Sequence, residues 1–503
     1  MTERSGPTVR TNYGQVKGTE EDGLYVFKGI PFAAPPTGEF RWLPPQPVQS
    51  WEGVRSAEDF GPICPQSNMP TPIPGRVPSV EPQDEDCLFL NIWTPGIDGE
   101  KKAVMVWIHG GAFTHGSGSS PQNPGSTLPK RGGVVMVSVN YRLGVLGFLR
   151  LKDVTSGKIP STGNEALLDQ IAALRWVKEN IEYFGGDPDN VTVFGESAGA
   201  ESIGALLAMP AAKGLFRKAI IQSGASKSQP ADRANRTAET YLEALGIPGT
   251  GVEALRAVSA EKLIETHTGL GPAAGGMGPV RDGETLPGVP LDVVETRSAA
   301  GVTVLAGSNL EEAKLFALIM GPDVVNMDEE SMADRLRNLV PEDCLPGLIE
   351  NYRTALATRE LPVTPFEIFT TIQGDQHFRM PNIRLCEVQE RLGYPSFGYV
   401  FNWKSAAPGF GACHALDVGF IFGNLNEAFH GCTPEAWELA GHMQDAWTAF
   451  ARTGDPSCPG LGTWPNYGRE RNMMVLSEKP HVEAAPYESE RAAWDGIPNV
   501  ALG

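Results

Sequence analysis

The stretch VTVFGESAGA at 191–200 sets one serine, Ser197, between Gly195 and Gly199. It directly follows a β-branched, apolar run, VTVF, and precedes a helical pattern, AGAESIGALLAM. A strand-to-helix turn this tight drives its central residue toward positive φ, a strained conformation for a side chain. The approaching backbone leaves little room two residues to either side, and glycine answers that need. The arrangement reads as a nucleophile elbow, which lifts a serine Oγ above the end of a sheet. Glycine fills 58 of 503 positions, so the short pattern alone is weak and takes its weight from context.

That context begins with a second strand end. AVMVWI (103–108) runs into HGGAF (109–113), similar to the loops whose backbone N–H groups hold an oxyanion. Fixed donors stabilise the charge that develops on a carbonyl oxygen under attack, and losing one costs about 10²–10³ in rate. The N–H of Ala198, next to the serine, is a further candidate donor. Serine is a poor nucleophile near neutral pH, so a base must take its proton and a carboxylate must orient that base. In this type of site the chain order is serine, acid, histidine. A third strand pattern, VTVLAG (302–307), leads into SNLEEAKLF, which places Glu311 and Glu312 just beyond its end. Spacing does not choose between the two, and a carboxylate favoured by a helix dipole is the plain alternative for either. His377, His414, His430, His442 and His481 all follow this strand. His414 has the most suitable setting, the glycine-rich loop GFGACHALDVGFIFGN after FGYVFNW (397–403); a structural surface histidine is the competing reading.

The elements that must position these groups are visible as buried-strand patterns. VVMVSVNY (134–141), KAIIQSG (218–224) and NMMVLS (472–477) join the runs already named, short and apolar as strands covered on both faces should be. Leu167, Ile171, Leu174, Val177 and Ile181 recur at helical spacing, with Gly185 and Gly186 as a stop. Another helix is expected near 438–451. Strand–helix alternation predicts an α/β architecture with a mostly parallel sheet and helices on both faces, in which ligands sit at the carboxyl ends of the strands. The first hundred residues are rich in proline and turns (PFAAPPTGEFRWLPPQP, SNMPTPIPGRVPSVEP) and are expected to wrap a core formed later. With no tandem repeat or long linker, the expectation is one large unit with insertions, spanning 1–503.

Composition excludes other classes. Apolar content of 41% and charged content of 20% are globular values, and a net charge of −19 argues against a nucleic-acid partner or attraction to anionic membranes. The N-terminus MTERSGPTVRTNYG carries no secretory pattern, and no apolar run approaches the ~18 residues of a membrane span. A cytoplasmic location is expected. The seven cysteines form no C-x-x-C pair, HExxH is absent, and His109 and His115 have poor metal spacing. Neither a metal nor a cofactor is expected.

Together these residues resemble the type-B carboxylesterase family, the cholinesterase-like branch of the α/β-hydrolases, including its p-nitrobenzyl-esterase-like members. The resemblance runs from FKGIPFAAPPTGEFRWLPPQP through EDCLFLNIWTP, WIHGGAF, NYRLGVLGF, LLDQIAALRWVKENIEYFGGDPDNVTVFGESAGA, AGSNLEE and GACHALDVGFIFGN to FARTGDP and WPNY. It implies an α/β-hydrolase fold with large insertions. It also implies Ser197 as nucleophile, Glu312 as acid, His414 as base, and the N–H groups of Gly111, Ala112 and Ala198 as oxyanion donors. Structural ion pairs Arg41–Glu85 and Arg142–Asp169 are implied as well. The family's paired cysteines match Cys64 and Cys87, a bridge that a reducing cytosol opposes. Ala313 and Ala166 stand where glycine is usual. Asp417 replaces a glutamate three residues after the histidine, so the polar network it would share with Glu196 is expected to be rearranged.

The activity so implied is hydrolysis of carboxylic esters through an acyl-enzyme, on uncharged or aromatic small-molecule substrates of modest size. Activity is expected to fall as His414 protonates, near ~6.5 for an unperturbed imidazole. Carbamate or amide cleavage by the same residues is the nearest alternative. A catalytically inactive binding protein is the alternative from another class, and such relatives lack the serine or its partners. Oligomeric state, monomer or dimer, is left open by the sequence.

Overall fold

A computed structural model describes residues 4–67, 73–75 and 80–502. Eight strands carry its centre: β1 (Phe89–Thr94), β2 (Lys102–Ile108), β3 (Val135–Val139), β4 (Gly186–Glu196), β5 (Lys218–Gln222), β6 (Thr303–Asn309), β7 (Ser396–Phe401) and β8 (Asn472–Leu476). Their order in space is β1-β3-β2-β4-β5-β6-β7-β8. Every neighbouring pair from β3 to β8 is parallel, and β1 joins antiparallel. This is the α/β-hydrolase architecture.

The apolar runs form central strands because both of their faces are covered. Along β2, Val104, Val106 and Ile108 join one apolar cluster, while Ala103, Met105 and Trp107 join another on the opposite face. Helices α1 (Glu165–Asn180), α2 (Ala198–Ala208) and α4 (Met380–Leu392), with α3 (Pro365–Gly374) before the last, supply the first cluster. Helix α5 (Pro434–Thr453) supplies the second, through Met443, Trp447 and Phe450. All five residues of the expected stripe on α1 and its end are buried. Gly185 closes that segment at φ 80, the left-handed conformation a helix stop requires.

Register brings the strand ends level. Ile108 pairs with Gly195, Glu196 with Gln222, Gln222 with Gly307, and Asn309 with Phe401. The loops that leave β2, β4, β5, β6 and β7 therefore open on one edge of the sheet.

The N-terminal region departs from expectation. Strands Arg4–Arg10, Gln15–Glu21 and Leu24–Pro31 extend the sheet beyond β1 and do not merely wrap it. RSGPTVR and QVKGTEE escape notice because polar and charged residues interrupt them, and LYVFKGIP because Lys28 and Gly29 cut its apolar run short. Their turn was nonetheless written in the sequence: Asp22–Gly23 takes φ 50 and 79, the type I′ pattern of a two-residue hairpin. Part of the proline-rich stretch SNMPTPIPGRVPSVEP lies outside the described residues.

Both implied ion pairs form. Asp169 accepts from the Arg142 Nε at 2.8 Å, its terminal nitrogen at 2.7 Å and its backbone N–H, while Arg142 also donates to the Leu43 carbonyl. Arg41 forks onto Glu85 and reaches the carbonyls of Arg256 and Val258. Burying a charge is costly unless it is paired and hydrogen-bonded, and both pairs meet that condition. All seven cysteines are free thiols, including the adjacent Cys64 and Cys87. Ala166 is buried against Gly147, which makes the room its methyl needs.

Candidate active site

Ser197 sits between β4 and α2 with φ 55 and ψ −125, a conformation that costs a non-glycine residue of order 1–3 kcal/mol. Its N–H donates to the Gln222 carbonyl at 2.9 Å and its carbonyl accepts from Glu201 N–H at 2.8 Å, so both neighbouring segments hold the turn. The flanking glycines are steric necessities. A Cβ on Gly199 would lie 2.0 Å from the Ile108 carbonyl oxygen, and one on Gly195 would lie 2.7 Å from the same atom.

The loop after β2 packs directly against this turn. A Cβ on Gly110 would come within 3.2 Å of the Ser197 Cβ and 2.8 Å of a Glu196 carboxylate oxygen. Gly111, Ala112 and Phe113 follow at φ 113, 53 and 62, a run of positive values that turns the amides out of the strand direction. The Gly111 carbonyl caps the turn by accepting from the N–H groups of Thr114 and His115. Among the described residues, the Gly111 and Ala112 N–H groups have no internal acceptor, and Ala198 as the first residue of α2 has none within its helix. Three donors are thus left available beside the serine. His109 steadies the loop from below, stacked on Tyr141 at 4.3 Å, with the Tyr141 hydroxyl donating to the His109 carbonyl. Burial pushes the His109 imidazole down to about 4, so it stays neutral.

Glu312 is separated from its neighbour Glu311 by geometry. Glu312 is buried, and its Oε2 accepts from His414 Nδ1 at 2.6 Å. Its Oε1 accepts from the Asn309 N–H at 2.7 Å and from the Ser223 hydroxyl. Glu311 points elsewhere, to Lys314 and Lys404, and it accepts from the Ala412 N–H at 2.8 Å. Burial alone would raise the Glu311 carboxyl, but the two lysines bring it down to about 2. It anchors the loop that carries His414.

His414 is buried, with the rings of Phe378 and Phe316 at 4.6 and 4.9 Å. Its Nε2 lies 3.1 Å from Glu196 Oε1, and no hydrogen bond joins it to Ser197 Oγ. Burial disfavours the imidazolium, but Glu196 and then Glu312 override it, and His414 is pushed up to about 9. The unperturbed value near 6.5 does not hold here. Asp417 accepts from Gln222 at 2.8 Å, and from Asn309 and Tyr399 at 3.4 Å each. Burial pushes its carboxyl up to about 6.

Ser223 and Asn309 are hydrogen-bond partners of Glu312 that motif reading did not single out. Both sit at strand ends, after KAIIQ and within VTVLAGSN, which was the available signal. Among the described residues His377, His430, His442 and His481 form no hydrogen bond or ion pair with Glu312, and no cluster of three or more His, Cys, Asp or Glu could hold a metal. No helix among them is long and apolar enough to cross a membrane.

A strained serine at the carboxyl end of a parallel sheet, together with a buried histidine bonded to a buried glutamate, is an arrangement found in α/β-hydrolases. The carboxylesterase family model matches residues 5–494. The chain is 39% identical over 496 residues to the para-nitrobenzyl esterase of Bacillus subtilis, covering 96% of this chain and 97% of that protein. It is 34% identical over 498 residues to the phenmedipham hydrolase of Pseudarthrobacter oxydans, covering 95% and 96%. A crystal structure of a carboxylesterase from Geobacillus stearothermophilus superposes with a TM-score of 0.88 at 40% identity, covering 97% of this chain and 99% of that one. The chain belongs to the carboxylesterase family and is a serine hydrolase of carboxylic esters.

Proposed function

We propose that Ser197 is the nucleophile, His414 its general base, Glu312 the carboxylate that orients the base, and the N–H groups of Gly111, Ala112 and Ala198 the oxyanion donors. The observation that carries this assignment is the 2.6 Å bond from His414 Nδ1 to a Glu312 whose other oxygen is held by two donors. Bound this way, the neutral imidazole keeps its proton on Nδ1 and leaves a lone pair on Nε2. That lone pair is repelled by the Glu196 carboxylate 3.1 Å away. In the imidazolium the same contact is favourable. Deprotonation therefore releases His414 from Glu196 and turns it to accept from the Ser197 hydroxyl. Loose contacts of this kind are common before substrate arrives. Ser197 Oγ then adds to the ester carbonyl, the alcohol leaves with the proton from His414, and water cleaves the acyl-enzyme by the same steps reversed. The reading takes residues 1–503 as one catalytic unit in the cytoplasm, acting on a small-molecule ester with no nucleic-acid partner.

An alkyl phosphonate ester probe should label the protein once, on Ser197, as read by peptide mass spectrometry. A stoichiometric adduct on any other residue overturns the assignment.

The pH profile tests the base. Neutral His414 is the competent form, so kcat/KM should climb as pH rises toward about 9 and level off beyond it. Glu196→Gln removes the largest upward pull and should move this acid limb to lower pH. An unmoved limb means that His414 is not the titrating base. The stability linkage has the opposite slope. Because the folded value is raised, the contribution is complete below the ordinary value of 6.5 and lost as pH rises through about 9.

A further inference from the structure

Beside the proposed site lies a charged group that the chemistry does not use. Glu201, one helical turn after Ser197 on α2, keeps only 4% of its side chain exposed. Its Oε1 lies 3.2 Å from His377 Nε2, and its Oε2 lies 3.7 Å from the Lys227 ammonium. Gly224 makes this possible, since a Cβ there would stand 2.8 Å from the Glu201 Cγ and 3.4 Å from the Ser197 carbonyl oxygen. His377 arrives on a one-turn π-helix, Asp375–Arg379, whose next residue, Phe378, packs on His414. Wide turns of this type concentrate at functional sites. Lys227 stands 5.8 Å over the ring of Phe113, the residue that follows the oxyanion loop's Ala112.

The exposures give the group a direction. The carboxylate is buried, whereas Lys227 and His377 keep 32% and 27% of their side chains open. The gap from Lys227 to Glu201 exceeds hydrogen-bond length, and among the described residues Lys227 donates no internal hydrogen bond. A cation thus stands over Phe113, next to the loop that carries Gly111 and Ala112, with its three N–H donors unspent.

We propose that Lys227, which the Glu201 carboxylate neighbours without hydrogen-bonding it, is a subsite for a carboxylate carried by the ester substrate, so that half-esters of dicarboxylic acids or esters of carboxyphenols belong to its substrates. The proposal rests on the ester-hydrolase reading and widens the uncharged substrate range expected from the motifs. The molecule's net charge of −19 gives no long-range attraction for such an anion. The preference must come from the contact itself.

The test compares matched substrates that differ only in charge, with the purified full chain. Monophenyl esters of succinic, glutaric and adipic acid are each set against the corresponding neutral amide, and 4-acetoxybenzoate against 4-acetoxybenzamide. Spontaneous hydrolysis is subtracted with the Ser197→Ala protein. The readout is the acid-to-amide ratio of kcat/KM. Lys227→Met should lower that ratio about tenfold or more on at least one pair, the worth of a hydrogen bond to a charged group, and Lys227→Arg should restore it. Glu201→Gln, which removes a competing negative charge, should raise the ratio. A merely structural role would depress turnover of both esters and leave the ratio alone. A ratio unchanged by Lys227→Met on every pair, or moved the same way by Lys227→Met and Glu201→Gln, overturns the subsite. Failure of the wild-type protein to cleave the neutral amides is a separate result and counts against the ester-hydrolase reading itself.

Discussion

Replacing Ser197 with alanine should lower kcat for p-nitrophenyl ester hydrolysis by about 10⁶, leaving only the background that oxyanion donors and binding provide. The fold should survive, because the substitution removes one oxygen and keeps the Cβ. The bonds that hold the turn are made by the backbone: Ser197 N–H to Gln222 and Glu201 N–H to the Ser197 carbonyl. Alanine also carries the same φ strain as serine, so the turn loses nothing else. Circular dichroism and the melting temperature check the fold, and a stopped-flow acylation burst checks the chemistry. Turnover near the wild-type level in the folded variant ends the nucleophile assignment.

Much of this was legible in the chain, for a physical reason. Strands such as AVMVWI and VTVF are covered on both faces, so burial alone writes them as apolar runs, and the glycines around Ser197 record steric contacts with Ile108. Those signals are local. Helix α5 was legible in its middle but begins earlier than its apolar pattern, at Pro434, where the Thr433 side chain accepts from the Ala436 N–H. The choice between Glu311 and Glu312 was not local. The two are adjacent and alike, and what separates them is Lys404 on one side and His414 on the other, both about a hundred residues later. The raised titration of His414 depends on Glu196, which approaches only because β4 and the His414 loop meet at one sheet edge. Such properties belong to the folded arrangement, and no window of sequence contains them.

The proposed acid supplies the sharpest contrast between neighbours. Glu312→Gln is nearly isosteric but has one oxygen where the carboxylate has two. The Asn309 N–H and the Ser223 hydroxyl both need an acceptor on one side, and His414 Nδ1 needs one on the other. With the amide oxygen turned to Asn309 and Ser223, the amide NH₂ faces Nδ1 and donates to it. That forces the imidazole proton onto Nε2, the nitrogen that must accept from serine. Loss of about 10⁴ in kcat is expected, the size of the effect when the wrong tautomer is imposed on a serine–histidine pair. Glu311→Gln loses charge partners for Lys314 and Lys404 but keeps an oxygen for the Ala412 N–H. Lys314 retains Glu367 at 3.0 Å, so the loop stays tethered. Its rate should stay within about tenfold of wild type, the effect of a shifted support and not of a lost tautomer. The two variants, assayed side by side above pH 9, separate these cases without interference from His414 protonation. A greater rate loss at Glu311 than at Glu312 overturns the choice of acid, because a residue that only supports the loop cannot cost more than the one that sets the imidazole tautomer.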